Sequence, residues 1–134
     1  MNKETRRGVA AIGRPASRAL FDQLPDVAVP QRITRLAGYV TGTLASDRES
    51  GVARYEFFLE VARRPHLRAS LDEWGATQRA AFAVELRGAG SPNPEAEAAD
   101  LLTLVNGLIL EQLALPADGF ETTHLRPAIA RFFP

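Results

Sequence analysis

Three side-chain amides, Gln78, Asn106 and Gln112, fall inside stretches that are otherwise apolar, and five large aromatics, Tyr39, Tyr55, Phe58, Trp74 and Phe82, recur in the same registers. An apolar wall with a few fixed polar groups is the make-up of a small-molecule pocket, so this set is the candidate ligand-binding constellation. Taken singly, each aromatic reads as core and each amide as a hydrogen bond across a bundle. Catalytic chemistry has weaker support. Glu121-Thr-Thr-His124 has the carboxylate/imidazole spacing of di-iron bundles. Such sites need a second copy of the motif and further carboxylates, and His66 has no matching partner, so helix-end polar residues explain it better. Ser46, Ser70 and Ser91 lack a nucleophile elbow, and the glycines form no phosphate loop. No catalytic residue, metal or cofactor is expected, and the chain does not read as an enzyme.

Composition narrows the classes further. At 134 residues the chain suits one domain with a reasonable core. Sixteen Lys and Arg balance 16 Asp and Glu, which removes any global electrostatic case for nucleic acid or membrane. The absence of cysteine excludes disulfides, thiolate metal sites and thiol catalysis. No apolar run approaches the ~18 residues of a membrane span, and residues 1–20 lack a signal-peptide core. A cytoplasmic location without membrane contact is the default expectation.

The elements that must position the candidate set are helices. Residues 1–20 carry Lys3, Arg6, Arg7, Arg14 and Arg18 against Glu4, and read as a basic, flexible arm: a frayed terminus rather than a phosphate-binding one, because no folded reading element accompanies it. Leu20, Phe21 and Leu24 begin the ordered domain, taken as 21–134. Pro30 opens a helix whose Ile33, Leu36, Ala37, Val40 and Leu44 share one face. A second runs from Ser50 to Arg64, with Val52, Tyr55, Phe58, Leu59 and Ala62 as its stripe and Phe57 and Val61 extending it sideways. Residues 66–88 predict a third helix or a pair broken at Gly75, with Gln78 and Glu85 set unusually within its apolar side.

The longest apolar helix lies between Asn93 and Leu115. Asn93 suits an N-cap, Pro94 the first helical position, and Glu95 and Glu97 the positive end of the dipole. Leu101, Leu102, Leu104, Val105, Leu108, Ile109, Leu113 and Leu115 cover roughly half of its circumference, enough for its own core and a partner. The closing segment 120–133 places Leu125, Ile129, Phe132 and Phe133 on one side, with Thr122 or Thr123 as its cap. No stretch alternates like a strand, so the fold is expected to be all-α, a bundle of about five to six helices.

From Pro30 onward the order of helices resembles the C-terminal domain of the tetracycline-repressor (TetR/AcrR) family of bacterial regulators. The likeness is carried by YEFFLEVARRPHLR (55–68) with Trp74 soon after, NPEAEA (93–98), Asn106-Gly-Leu108, and HLRPAIARFF (124–133). These motifs are helical texture with punctuation rather than catalytic signatures. The resemblance implies a homodimer whose last two helices pair with their mates as a four-helix bundle, and a small-molecule effector pocket among the preceding helices. On that footing the dimer interface is expected at Leu101, Leu104, Val105, Leu108, Ile109, Gln112, Leu125, Ile129 and Phe132, and the aromatic and amide set becomes the pocket for a small apolar effector. The 29 residues before Pro30 show no helix-turn-helix, so DNA contact is expected only through a reader not evident in this chain. The alternative is a reader-less helical interaction protein that heterodimerises with an intact regulator.

Overall fold

The computed structural model describes residues 28–134, which contain helices and no strand. The basic arm, and Leu20, Phe21 and Leu24, lie outside the described residues. Helix α1 spans Val29–Tyr39 and runs into a π-helical turn, Val40–Leu44. Helix α2 is Arg48–Arg63, a 3-10 turn Pro65–Leu67 follows, and α3 is Arg68–Gly88. Helix α4 is Pro94–Ala114, and a π-helical turn Glu121–Leu125 leads into the short α5, Arg126–Ala130.

Local chemistry explains the boundaries, and some differ from the sequence reading. Helix α2 starts two residues early because the Asp47 side chain accepts a hydrogen bond from the Ser50 amide at 2.7 Å. Helix α3 runs unbroken through Gly75, where a Cβ would come within 2.9 Å of the Arg79 Nη1. That glycine admits a neighbour rather than bending the helix. Asn93 holds the N-cap position of α4, yet its side chain makes no capping bond; its carbonyl instead accepts from the Glu97 amide at 3.0 Å. The two acids of that first turn are tied back to what precedes them, Glu95 to Arg87 at the end of α3 and Glu97 to the Ser91 hydroxyl in the loop. Gly90, at φ 89°, makes the turn between α3 and α4. Thr122 donates to the Gly119 carbonyl at 3.3 Å and caps no helix amide.

Helix α4 is the central member, packed against α3, α2 and the closing α5 segment. Its broad apolar arc is therefore consumed largely inside one chain. Leu101, Val105 and Ile109 are buried with Leu102, and they meet Leu36, Val40, Phe82 and Leu86 in one cluster that also holds Leu125, Ile129 and Phe133. Each such side chain stabilises the fold by about 1.5–3 kcal/mol through burial. Helix α2 is rotated from the expected stripe: Tyr55, Phe58 and Val61 face inward as the pattern indicated, but Val52 and Leu59 do not. Val52 and Leu59 are 38% and 61% exposed, whereas Gly51 and Val61 are buried. The inner face thus runs Gly51, Arg54, Tyr55, Phe58, Val61. Leu113 fixes this rotation by lying 3.1 Å from where Gly51 would carry a Cβ.

Candidate functional site

Five aromatic side chains line a seam along α3, where α1 and α2 each pack against it. Tyr55 stacks on Phe58 at 5.7 Å, and Phe58 meets Trp74 edge-on at 6.1 Å. Tyr39 meets Phe82 edge-on at 6.2 Å. Both are favoured aromatic geometries. On α3, Trp74, Gln78 and Phe82 follow at successive turns, which joins the two clusters along one helix face.

The polar groups of the seam are incompletely paired. Tyr39 donates its hydroxyl proton to Gln78 Oε1, and Gln78 is fully buried. Its Nε2 has no hydrogen-bond partner. Tyr55 donates to the backbone carbonyl of Asn106 on α4, while the Asn106 Oδ1 is buried and unpaired. Burial pushes both tyrosine hydroxyls above their ordinary pKa, and the adjoining Gln78 and Arg54 only partly oppose it. Both tyrosines are therefore neutral hydrogen-bonding groups at physiological pH rather than general bases.

Arg54, passed over in the sequence reading, completes the seam. Its guanidinium carbon lies 5.3 Å from the Tyr55 ring centroid and 5.7 Å from that of Trp74. Such cation–π contacts contribute about 1–2 kcal/mol when partly desolvated. The signal that marks it is the Gly51, Arg54, Phe58, Val61 spacing, i, i+3, i+7, i+10, which puts a charge on the face that a glycine opens.

The structure thus brings together Tyr39, Tyr55, Phe58, Trp74, Gln78, Phe82 and Asn106, and sets Gln112 apart. The Gln112 amide exchanges two hydrogen bonds with Ala117, at 3.0 and 3.2 Å, and closes the turn after α4. It lines a separate half-open cavity of about 300 Å³, beside Leu44, Asp47, Leu113 and Phe120. Glu121 pairs with Arg126 at 3.4 Å and His124 is exposed beside Phe120. Among the described residues, no group of three His, Asp or Glu side chains could hold a metal.

Burial also divides the residues expected to meet a partner. Leu101, Val105, Ile109, Leu125 and Ile129 are covered by their own chain, and a side chain with no free surface has none to offer a second copy. Leu104, Leu108, Gln112 and Phe132 remain half exposed, and Leu110 and Leu115 are 48% and 77% exposed. An interface on this side must therefore be built from the shoulder of α4 and not from its buried stripe.

Residues 29–134, the span of all the helices above, match the family model described as tetracyclin repressor-like, C-terminal domain. The chain belongs to that family. No curated protein and no solved structure matches it. The tetracyclin repressor-like domain is all-α here as expected, with α4 and the closing segment last in the chain. Among its described residues no helix is long and apolar enough to cross a membrane.

Proposed function

We propose that this domain is the effector-binding and dimerisation unit of a TetR-like transcriptional regulator, a non-catalytic cytoplasmic module that senses a small, largely apolar molecule. The observation that carries the reading is Gln78: a fully buried amide whose Nε2 is unpaired, set in a wall of aromatic rings. A buried donor without a partner costs about 1–3 kcal/mol, and native proteins keep such groups chiefly where a ligand or water completes them. Homodimerisation would use the half-exposed Leu104, Leu108, Gln112 and Phe132 together with Leu115. An effector lodged between α1, α2 and α3 would change how α1 sits on the bundle, and α1 is where the preceding residues join.

Trp74 is the chain's one tryptophan, is 4% exposed, and belongs to the aromatic wall. Its fluorescence reports occupation of the site directly. Titration with small apolar aromatic and aliphatic compounds is expected to give a saturable change in its emission for some members. Uniformly flat titrations, with no thermal stabilisation, would remove the sensing half of the proposal.

A further inference from the structure

Arg54 asks for more than an apolar guest. Its Nε and Nη2 are shut off from solvent with no hydrogen bond of good geometry, the Tyr55 hydroxyl beside the guanidinium already donating its own proton to Asn106. None of the ion pairs among the described residues includes it. A guanidinium keeps its charge inside a protein and so calls for an acceptor. The Tyr55 and Trp74 rings offer it their π-faces, but a π-face does not accept the N–H bonds that point along the guanidinium plane. Nε and Nη2 form one edge of that plane, the edge on which a carboxylate makes two parallel hydrogen bonds. Gln78 Nε2, one turn beyond Trp74 on α3, is a second unpaired donor on the same seam, and the Asn106 Oδ1 on α4 is an unpaired acceptor.

We infer that the effector is an amphipathic monoanion, an aromatic or aliphatic body bearing one carboxylate. The carboxylate sits on the Nε/Nη2 edge of Arg54, the body lies against the Tyr55, Phe58 and Trp74 rings, and Gln78 donates to a polar atom of the ligand. This deepens the proposed function and rests on its reading of the aromatic seam as the effector site. Charge-assisted pairing in a desolvated site is strong enough to decide between ligands of one shape, so the charge, rather than the body, sets selectivity.

The test uses pairs of probes matched in body and differing in charge: benzoate with benzyl alcohol, 2-naphthoate with 2-naphthylmethanol, and octanoate with 1-octanol. Affinities for the full chain are measured by isothermal titration calorimetry for wild type, Arg54→Gln and Arg54→Lys, each first shown folded by circular dichroism. Wild type is expected to bind at least one carboxylate about tenfold or more tighter than its alcohol. Arg54→Gln should bring that ratio near unity by lowering carboxylate affinity more than alcohol affinity, and Arg54→Lys, charged but without the planar fork, should fall between. Equal binding of acid and alcohol to wild type overturns the anion assignment and leaves the effector site standing. A ratio that survives both substitutions also overturns it, by placing the carboxylate elsewhere. Absence of binding by every probe removes the inference and the effector reading together.

Discussion

The Arg32 guanidinium fills the space that a Cβ on Gly88 would occupy: an alanine there would collide with the guanidinium carbon and both terminal nitrogens. Arg32 is only 1% exposed, so its charged end cannot swing into water to make room. It lies 3.6 Å from Glu85, which also faces Arg35 at 3.4 Å. The end of α3 and the middle of α1 are thereby locked together by a glycine, a carboxylate and two arginines.

Gly88→Ala is accordingly expected to destabilise the domain although alanine is the better helix former. Propensity favours the substitution by up to about 1 kcal/mol, and displacing a packed buried side chain costs about 1–3 kcal/mol, so the clash wins. Urea unfolding measures the difference. In an Arg32→Ala background the same change should become neutral or stabilising, because the obstruction is gone; equal effects in both backgrounds would mean that the two residues are not coupled.

Burial raises the Glu85 carboxyl above the ordinary glutamate range, and Arg35 and Arg32 offset this only in part. A folded-state pKa above the unfolded one gives stability that is full below the unfolded pKa and is lost as pH rises through the folded value. Glu85→Gln removes that titration. The melting temperature of the variant minus that of wild type is therefore expected to increase with pH, starting from the ordinary carboxylate range. A difference that falls with rising pH would show that the two arginines dominate and hold the carboxyl low.

The Tyr39 hydroxyl and Gln78 Oε1 satisfy each other through one bond, so removing either strands the other. Tyr39→Phe should destabilise by about 1–3 kcal/mol; Gln78→Met strands the Tyr39 hydroxyl but also removes the unpaired Nε2, so it should cost less, and the double variant should recover most of the Tyr39→Phe loss. The double variant should also lose ligand response, because the unpaired Nε2 is gone. Additive losses in the thermal melts would mean that the bond contributes nothing specific.

Helix periodicity made the architecture readable: the apolar spacing of α1, α3 and α4 and the Gly-Ser-Pro punctuation at 90–94 marked the bundle and its main turn. Gln78 and Glu85 were visible as polar intrusions and are buried as such. The rotation of α2 was not readable. Two of its stripe residues, Val52 and Leu59, point outward because Leu113 needs the space above Gly51, a contact made across 62 positions of sequence. Arg54 was missed for the same reason, since its importance follows from that rotation. The breadth of the α4 arc was legible, but its division between core and surface depends on how many neighbours the helix has, which spacing along one helix does not encode.

Two substitutions on neighbouring α4 positions should separate folding from pairing. Val105 is fully buried, so Val105→Glu is expected to unfold the domain by placing an unpaired charge in the core. Leu108 is half exposed, and Leu108→Glu should leave circular dichroism and the melting transition of a single chain largely intact. Unfolding by both would mean that the Leu108 face serves the core as well.

Pairing is what would turn ligand capture into regulation, and sedimentation equilibrium at tens of micromolar tests it most directly. The expected result is a dimer of the 14.6 kDa chain, converted to a folded monomer by Leu108→Glu. A wild-type chain that sediments as a monomer at that concentration would contradict the proposal.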